Sequence, residues 1–206
     1  MLQLTTLHVL GHEAYYNRWA DHYDTDLSDT FYGPKRLVEF VVEQLPVDWP
    51  KSSRILDIGA GTGKVAELLR PHGFSNLDAL DASPAMLAKA RARSLYENYL
   101  CEILTESTQS DCIQPNSYDL VLAVGVFNAA HMNHLHLQQF VRAAKPGGHV
   151  MFGISNNSRI ASQFHANVMP AVEGQMDLIS KQSVECYGVT QPDADPRGVF
   201  YHFVKK

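Results

Sequence analysis

The chain has 206 residues, 45% of them hydrophobic and 19% charged, a composition that excludes disorder and supplies enough apolar surface for one full core. Its formal charge of −5 and pI near 6.0, with no Lys- or Arg-rich block, exclude the electrostatic footprint of a phosphate-backbone binder, so no nucleic-acid partner is expected. Cys101, Cys112 and Cys186 are odd in number and form no CxxC pair, which argues against a disulfide framework or a cysteine zinc site and fits a reducing compartment.

The N-terminal MLQLTTLHVLGH has no basic n-region and no apolar h-region before a small-residue cleavage site, so it is not read as a secretory signal. The longest apolar run, LVLAVGVF at 120–127, falls far below the roughly 20 residues that cross a bilayer. A soluble, cytoplasmic protein with no membrane partner is expected.

Residues 12–45 read as two helices broken near Gly33 and Pro34, the first carrying Tyr15, Tyr16, Trp19 and Tyr23. From 54 onward β-rich runs alternate with helical patterns, the signature of βαβ units on a parallel sheet: RILDIG at 54–59, NLDALD at 76–81, YLCEIL at 99–104, YDLVLAVG at 118–125 and GHVMFGI at 148–154. The fourth run is apolar on successive residues, as a strand buried on both faces requires. Between them, KVAELLR stops at Pro71 and Gly73, Ser83 and Pro84 open PAMLAKARARSL as N-cap and N1, and Leu135 to Ala144 has helical spacing before KPGG. Residues 156–182 read as a polar loop plus a helix, followed by closing strands VECYGVT at 184–190 and GVFYHFV at 198–204.

The stretch ILDIGAGTGK at 55–64 carries the chemistry. A triphosphate loop needs GxxxxGK followed by Ser or Thr, yet Val65 follows Lys64 and Ile58 stands at the outer glycine position. The dinucleotide pattern GxGxxG, counted from Gly59, meets Lys64 at its third glycine, which weakens that reading without removing it. S-adenosylmethionine asks only for close backbone approach and for a carboxylate at the next strand end to take both ribose hydroxyls. Asp81, 18 residues beyond Gly63, occupies that place, although the same acid serves the ribose of NAD.

Together ILDIGAGTG, LDALDASPAML, YDLVLAVGVF and KPGGHVMF resemble the class I S-adenosylmethionine-dependent methyltransferases. YNRWADHYD at 16–24, DASPAMLAKARARSLY at 81–96 and GVFYHFVKK at 198–206 are similar to the small methyltransferase-like proteins named after the Williams-Beuren chromosome region. The resemblance implies an α/β fold with a Rossmann-like, seven-stranded, mostly parallel sheet, helices on both faces, an antiparallel last strand and an N-terminal helical cap. It implies a single domain over 1–206, with the cap at 1–50, the cofactor-binding core at 51–155, and an acceptor-side insertion and closing strands at 156–206. In the implied site Asp57 and Gly59 meet the methionine ammonium, Gly61 faces the ribose, Asp81 grips its hydroxyls, and Ala82 and Met86 pack on adenine. Ala60, Gly63, Val124 and Phe127 complete the set, and the adenine amino group is left to Glu106, Ser107 or backbone. Tyr16, Trp19 and above all Tyr23 are lid candidates; the alternative is an amphipathic helix packed on the sheet edge.

Methyl transfer needs alignment, exclusion of water and, for a protonated acceptor, a base. Open α/β sheets bind ligands at the carboxyl ends of their strands, which puts FNAAHMNHLH at 127–136 beside the acceptor and makes His131, with His134 behind it, the candidate general base. The three histidines at 131, 134 and 136 match no structural zinc spacing, so no metal is expected. GVFN stands where nucleic-acid amino-methyltransferases carry an Asn or Asp followed by Pro, Pro and an aromatic, which favours a small-molecule acceptor in a pocket shaped by Phe127, Asn128 and 156–182, with Tyr187 and Arg197 as further contacts. Alternatives are an NAD(P)-dependent oxidoreductase and a non-catalytic binding protein of this fold.

Overall fold

The computed structural model describes residues 11–28, 30–106, 110–128, 131–156, 160–186 and 195–206. Seven strands form one sheet in the order β3-β2-β1-β4-β5-β7-β6. They are β1 Ile55–Ile58, β2 Leu77–Asp81, β3 Asn98–Cys101, β4 Tyr118–Val124, β5 Ala144–Ser155, β6 Met176–Glu185 and β7 Arg197–Lys205. The first five pair in parallel, and β7 runs antiparallel between β5 and β6. This is the expected Rossmann-like sheet. Strand order reverses between β1 and β4, and such a reversal opens a crevice at the carboxyl ends of the two strands.

The alternation of a strand sends successive side chains to opposite faces, and two cores result. Leu56, Ile58, Val121, Ala123 and Phe152 pack on one side; Ile55, Leu77, Leu120, Leu122 and Met151 pack on the other. The first core is closed by α6 Leu137–Ala143 and α7 Ala161–Val172, through Phe140, Phe164 and Val168. The second is closed by α3 Gly33–Gln44, α4 Lys64–Leu69 and α5 Pro84–Ala92, through Leu37, Val41, Val65 and Leu87.

Two boundaries differ from the sequence expectation. Among the described residues, 12–45 make three helices, α1 His12–Trp19, α2 Tyr23–Leu27 and α3, and Gly33-Pro34 opens the third, with Pro in its first turn where its missing N–H costs nothing. The helix expected within 156–182 ends at Val172, and Met176–Glu185 is the edge strand β6. Its outward residues, Leu178 and Ile179 among them, are exposed, so a strand marked by pairing to β7 carries little apolar alternation. The expected strand at 184–190 therefore overlaps β6 only at its start; residues 187–194 lie outside the described ones.

Candidate functional site

β1 runs into a loop that is tied to the neighbouring strand: Gly59 N and Ala60 N both donate to Leu80 O, at 2.7 and 3.1 Å. Asp81, the last residue of β2, then clamps the loop from the side. Its Oδ2 accepts from Gly61 N and its Oδ1 from Ser83 N, each at 2.8 Å. Burial pushes its pKa up, and the N–H groups of Ser83, Gly61 and Ala82 pull it back. Ser83 caps α5 by accepting from Met86 N at 3.1 Å, as its placement before Pro84 predicts.

These elements line a cleft at the carboxyl ends of the strands. The loop and β2 supply Gly59, Gly61, Asp81, Ala82 and Ser83, and α5 supplies Met86. Glu102, Ile103 and Leu104 come from the turn after β3; Val124, Gly125 and Val126 from the end of β4; His131 and Met132 from the segment beyond it. Helices α1 and α2 contribute Glu13, Tyr16 and Tyr23.

The N-terminal helices are latched to the rim of the cleft. Asn17 Oδ1 accepts from Ser83 Oγ at 2.7 Å and Ala85 N at 3.2 Å, so it caps α5 from outside. Thr62 Oγ1 donates to Asp24 Oδ1 at 2.6 Å, and Lys89 pairs with Asp21 at 2.5 Å. The Tyr16 ring packs against His131, tilted, with centroids 5.3 Å apart, while Trp19 donates to Asp26 Oδ2 at 2.6 Å and braces Tyr23 edge-on at 4.8 Å. Trp19 thus stiffens the cap and Tyr16 and Tyr23 face the cleft. Asn17→Ala removes two bonds, each worth about 0.5–1.5 kcal/mol, and is expected to speed release of a bound ligand several-fold in stopped-flow displacement; an unchanged off-rate would show that the cap does not gate the cleft.

Three carboxylates, Glu13, Asp81 and Glu102, line this cleft, and no lysine or arginine does among the described residues. Glu102 is pushed up by burial but held below its ordinary range by bonds from Ser110 Oγ at 2.6 Å, Asp111 N at 3.1 Å and Cys112 N at 3.2 Å. Such a wall attracts a cation and repels a diphosphate. A Cβ on Gly61 would meet nothing within 4 Å, so the loop leaves room for a ligand to approach its backbone. S-adenosylmethionine, with a sulfonium, an ammonium and two ribose hydroxyls but no phosphate, fits these residues better than NAD does.

Other expected site residues lie elsewhere. Asp57 does not line the cleft: it is buried under the loop, where its Oδ2 accepts from Tyr96 Oη at 2.6 Å. Ala60 packs in the second core and Gly63 against α5 and the turn that follows it. Phe127 is buried among Phe140, Phe152 and Phe164, with ring centroids at 5.6, 5.1 and 4.7 Å. Glu106 accepts from Asn133 Nδ2 at 2.9 Å and does not line the cleft, whereas Glu102 does. Ser107 and Tyr187 lie outside the described residues, and Arg197 is paired with Asp195 at 2.8 Å. His136 is buried with its Nδ1 on Asn133 N at 3.2 Å, and burial lowers its pKa. Among the described residues no group of three or more His, Cys, Asp or Glu is placed to hold a metal, and no helix is long and apolar enough to cross a membrane.

Burial raises Asp57 to about 7, with the Tyr96 hydroxyl pulling down and Asp81 pushing up. Its folded pKa thus exceeds its unfolded one, so its contribution to stability is full below about pH 4 and is lost as pH rises to about 7. Between pH 5 and 8 the wild-type Tm is expected to fall about 3–10 °C more than that of Asp57→Asn; parallel melting curves would show that Asp57 does not titrate there.

A seven-stranded sheet of this order, with an acid-tipped second strand beside a glycine loop, is the class I S-adenosylmethionine-dependent methyltransferase fold. The methyltransferase-domain family matches residues 28–186, and the chain belongs to it. Human methyltransferase-like protein 27 is 36% identical over 146 residues, covering 70% of this chain and 58% of the relative, so the chain spans under two thirds of that protein's length. A human tRNA N(3)-cytidine methyltransferase is 30% identical over 105 residues, covering 48% of this chain and 37% of the relative. A TehB-like SAM-dependent methyltransferase from Corynebacterium glutamicum superposes with a TM-score of 0.64 at 18% identity, over 95% of this chain and 100% of that one. Family and fold together imply S-adenosyl-L-methionine as the cofactor.

Proposed function

We propose that this chain transfers the methyl group of S-adenosylmethionine to an O, N or S nucleophile of a small-molecule acceptor. The observation that carries the reading is Asp81, fixed by Gly61 N and Ser83 N in the wall of an acidic cleft where its remaining lone pairs suit two ribose hydroxyls. Ala82, Met86, Ile103 and Leu104 supply the apolar surface for adenine, and Glu102 the acceptor for its amino group. Bound S-adenosylmethionine supplies an electrophilic methyl, its sulfur keeping the bonding pair as S-adenosylhomocysteine leaves. Tyr16, Tyr23 and the latched cap exclude water, and His131 takes the proton when the acceptor carries one.

The small-molecule reading is supported by the acidic pI and by the helices drawn over the cleft. Calorimetry is expected to show saturable binding of S-adenosylmethionine and S-adenosylhomocysteine and none of NADH; folded protein giving no heat with the first two overturns the proposal. Labelled methyl appearing in bulk tRNA or total protein would reassign the acceptor.

A further inference from the structure

Glu13, Tyr16 and Asn17 stand three and four residues apart on α1, the spacing that puts side chains on one side of a helix. Two of them have a place already: the Tyr16 ring packs against His131, and Asn17 caps α5 through Ser83 and Ala85. Glu13 lines the cleft with Tyr16, and it does so at the end next to β3. Cys101 closes that strand, with its Sγ 3.9 Å from Ala82 O. Burial raises the pKa of the Cys101 thiol, and the Glu13 charge, ahead of that of Asp81, raises it further. Glu102 and Ile103 follow Cys101 into the cleft, and Ile103 is 59% exposed there, an apolar surface that a flat ring would cover.

We infer that Glu13 determines specificity for the base of the cofactor: with Glu102 it brackets the exocyclic amino group of adenine, one carboxylate for each N–H. The inference rests on the cofactor reading above. An amino group on a purine has two hydrogens on one nitrogen, pointing to either side, so a single acceptor satisfies only one of them. Glu102 is held in place by three donors, Ser110 Oγ, Asp111 N and Cys112 N. It is therefore a fixed partner on the core side. Glu13 supplies the partner on the cap side, and its Oε1 accepts only a long bond of 3.4 Å from Asn17 Nδ2. A hypoxanthine base has a carbonyl oxygen in place of the amino group, and two carboxylates repel it, so the base is read by charge. Because Glu102 belongs to the core and Glu13 to α1, the amino group also ties the cap to the sheet. Glu13 lies in the first turn of α1, where a carboxylate favours the helix dipole as well. That structural effect weakens all ligands alike, whereas base recognition changes their ratio.

The test is calorimetry of S-adenosylhomocysteine and S-inosylhomocysteine on the full chain and its variants. Wild type is expected to prefer the adenosyl compound by at least about 30-fold, and Glu13→Ala to cut that preference by at least about fivefold. Glu13→Gln, which keeps a carbonyl acceptor, is expected to retain more of the preference than Glu13→Ala. An unchanged ratio in Glu13→Ala, or equal weakening of both compounds, overturns the assignment while leaving the cofactor reading intact. Failure of S-adenosylhomocysteine to bind wild type overturns the cofactor reading and this inference with it.

Discussion

Replacing Asp81 with alanine is expected to weaken S-adenosylhomocysteine binding by about 10²–10⁴-fold, because two hydroxyls lose a charged acceptor and each such bond is worth about 1.5–3 kcal/mol. The carboxylate also holds Gly61 N and Ser83 N at 2.8 Å, so part of the loss comes from a loosened loop. Gly61→Val separates the two causes. Its Cβ would find open space, so the cost to the loop is confined to the left-handed backbone at φ +54° while the ligand's approach is blocked. Calorimetry on both variants checks this: an affinity within about threefold of wild type in Asp81→Ala means that the ribose does not sit there.

Much of this site was legible because its parts are contiguous in the chain. A buried four-residue strand, a glycine loop, a helix starting at Lys64 and an acid ending the next strand all follow within 27 residues, from Ile55 to Asp81. Local periodicity and turn chemistry reach that far. The misplacements come from contacts that join distant segments. Asp57 reads as a ligand-facing acid until Tyr96, 39 residues on, is seen to cover it. Asn17 has no local signal of its bond to Ser83, 66 residues away. The sequence pattern extends the third strand through Leu104, but it ends at Cys101, which frees Glu102–Leu104 to turn into the cleft and leaves Glu106 outside it. β6 leaves no such mark in the sequence because only Met176 of its ten residues is buried, so no buried face imposes an alternation.

The alternating glycines, which the sequence presents as one motif, divide their work, and Gly63→Val exposes the division. Gly63 has φ +94°, and a Cβ there would lie 2.5 Å from Leu95 Cδ1, 3.2 Å from Tyr96 Cε2 and 3.3 Å from Ala90 Cβ. All three neighbours are buried, so none can swing into solvent. Left-handed backbone costs a residue with a Cβ about 1–2 kcal/mol and overpacking about 1–3 kcal/mol more. The expected loss is thus about 2–5 kcal/mol, a Tm drop of about 5–20 °C in a chain of this size. Displacing Tyr96 also lifts its hydroxyl from Asp57, to which it donates at 2.6 Å, so the variant is expected to show a changed pH dependence of melting as well. Gly61→Val has only the backbone strain to bear, and its larger effect falls on cofactor affinity. Thermal melts of the two variants side by side decide the matter: equal Tm losses would mean that Gly63 does not serve as the packing point between loop and helix.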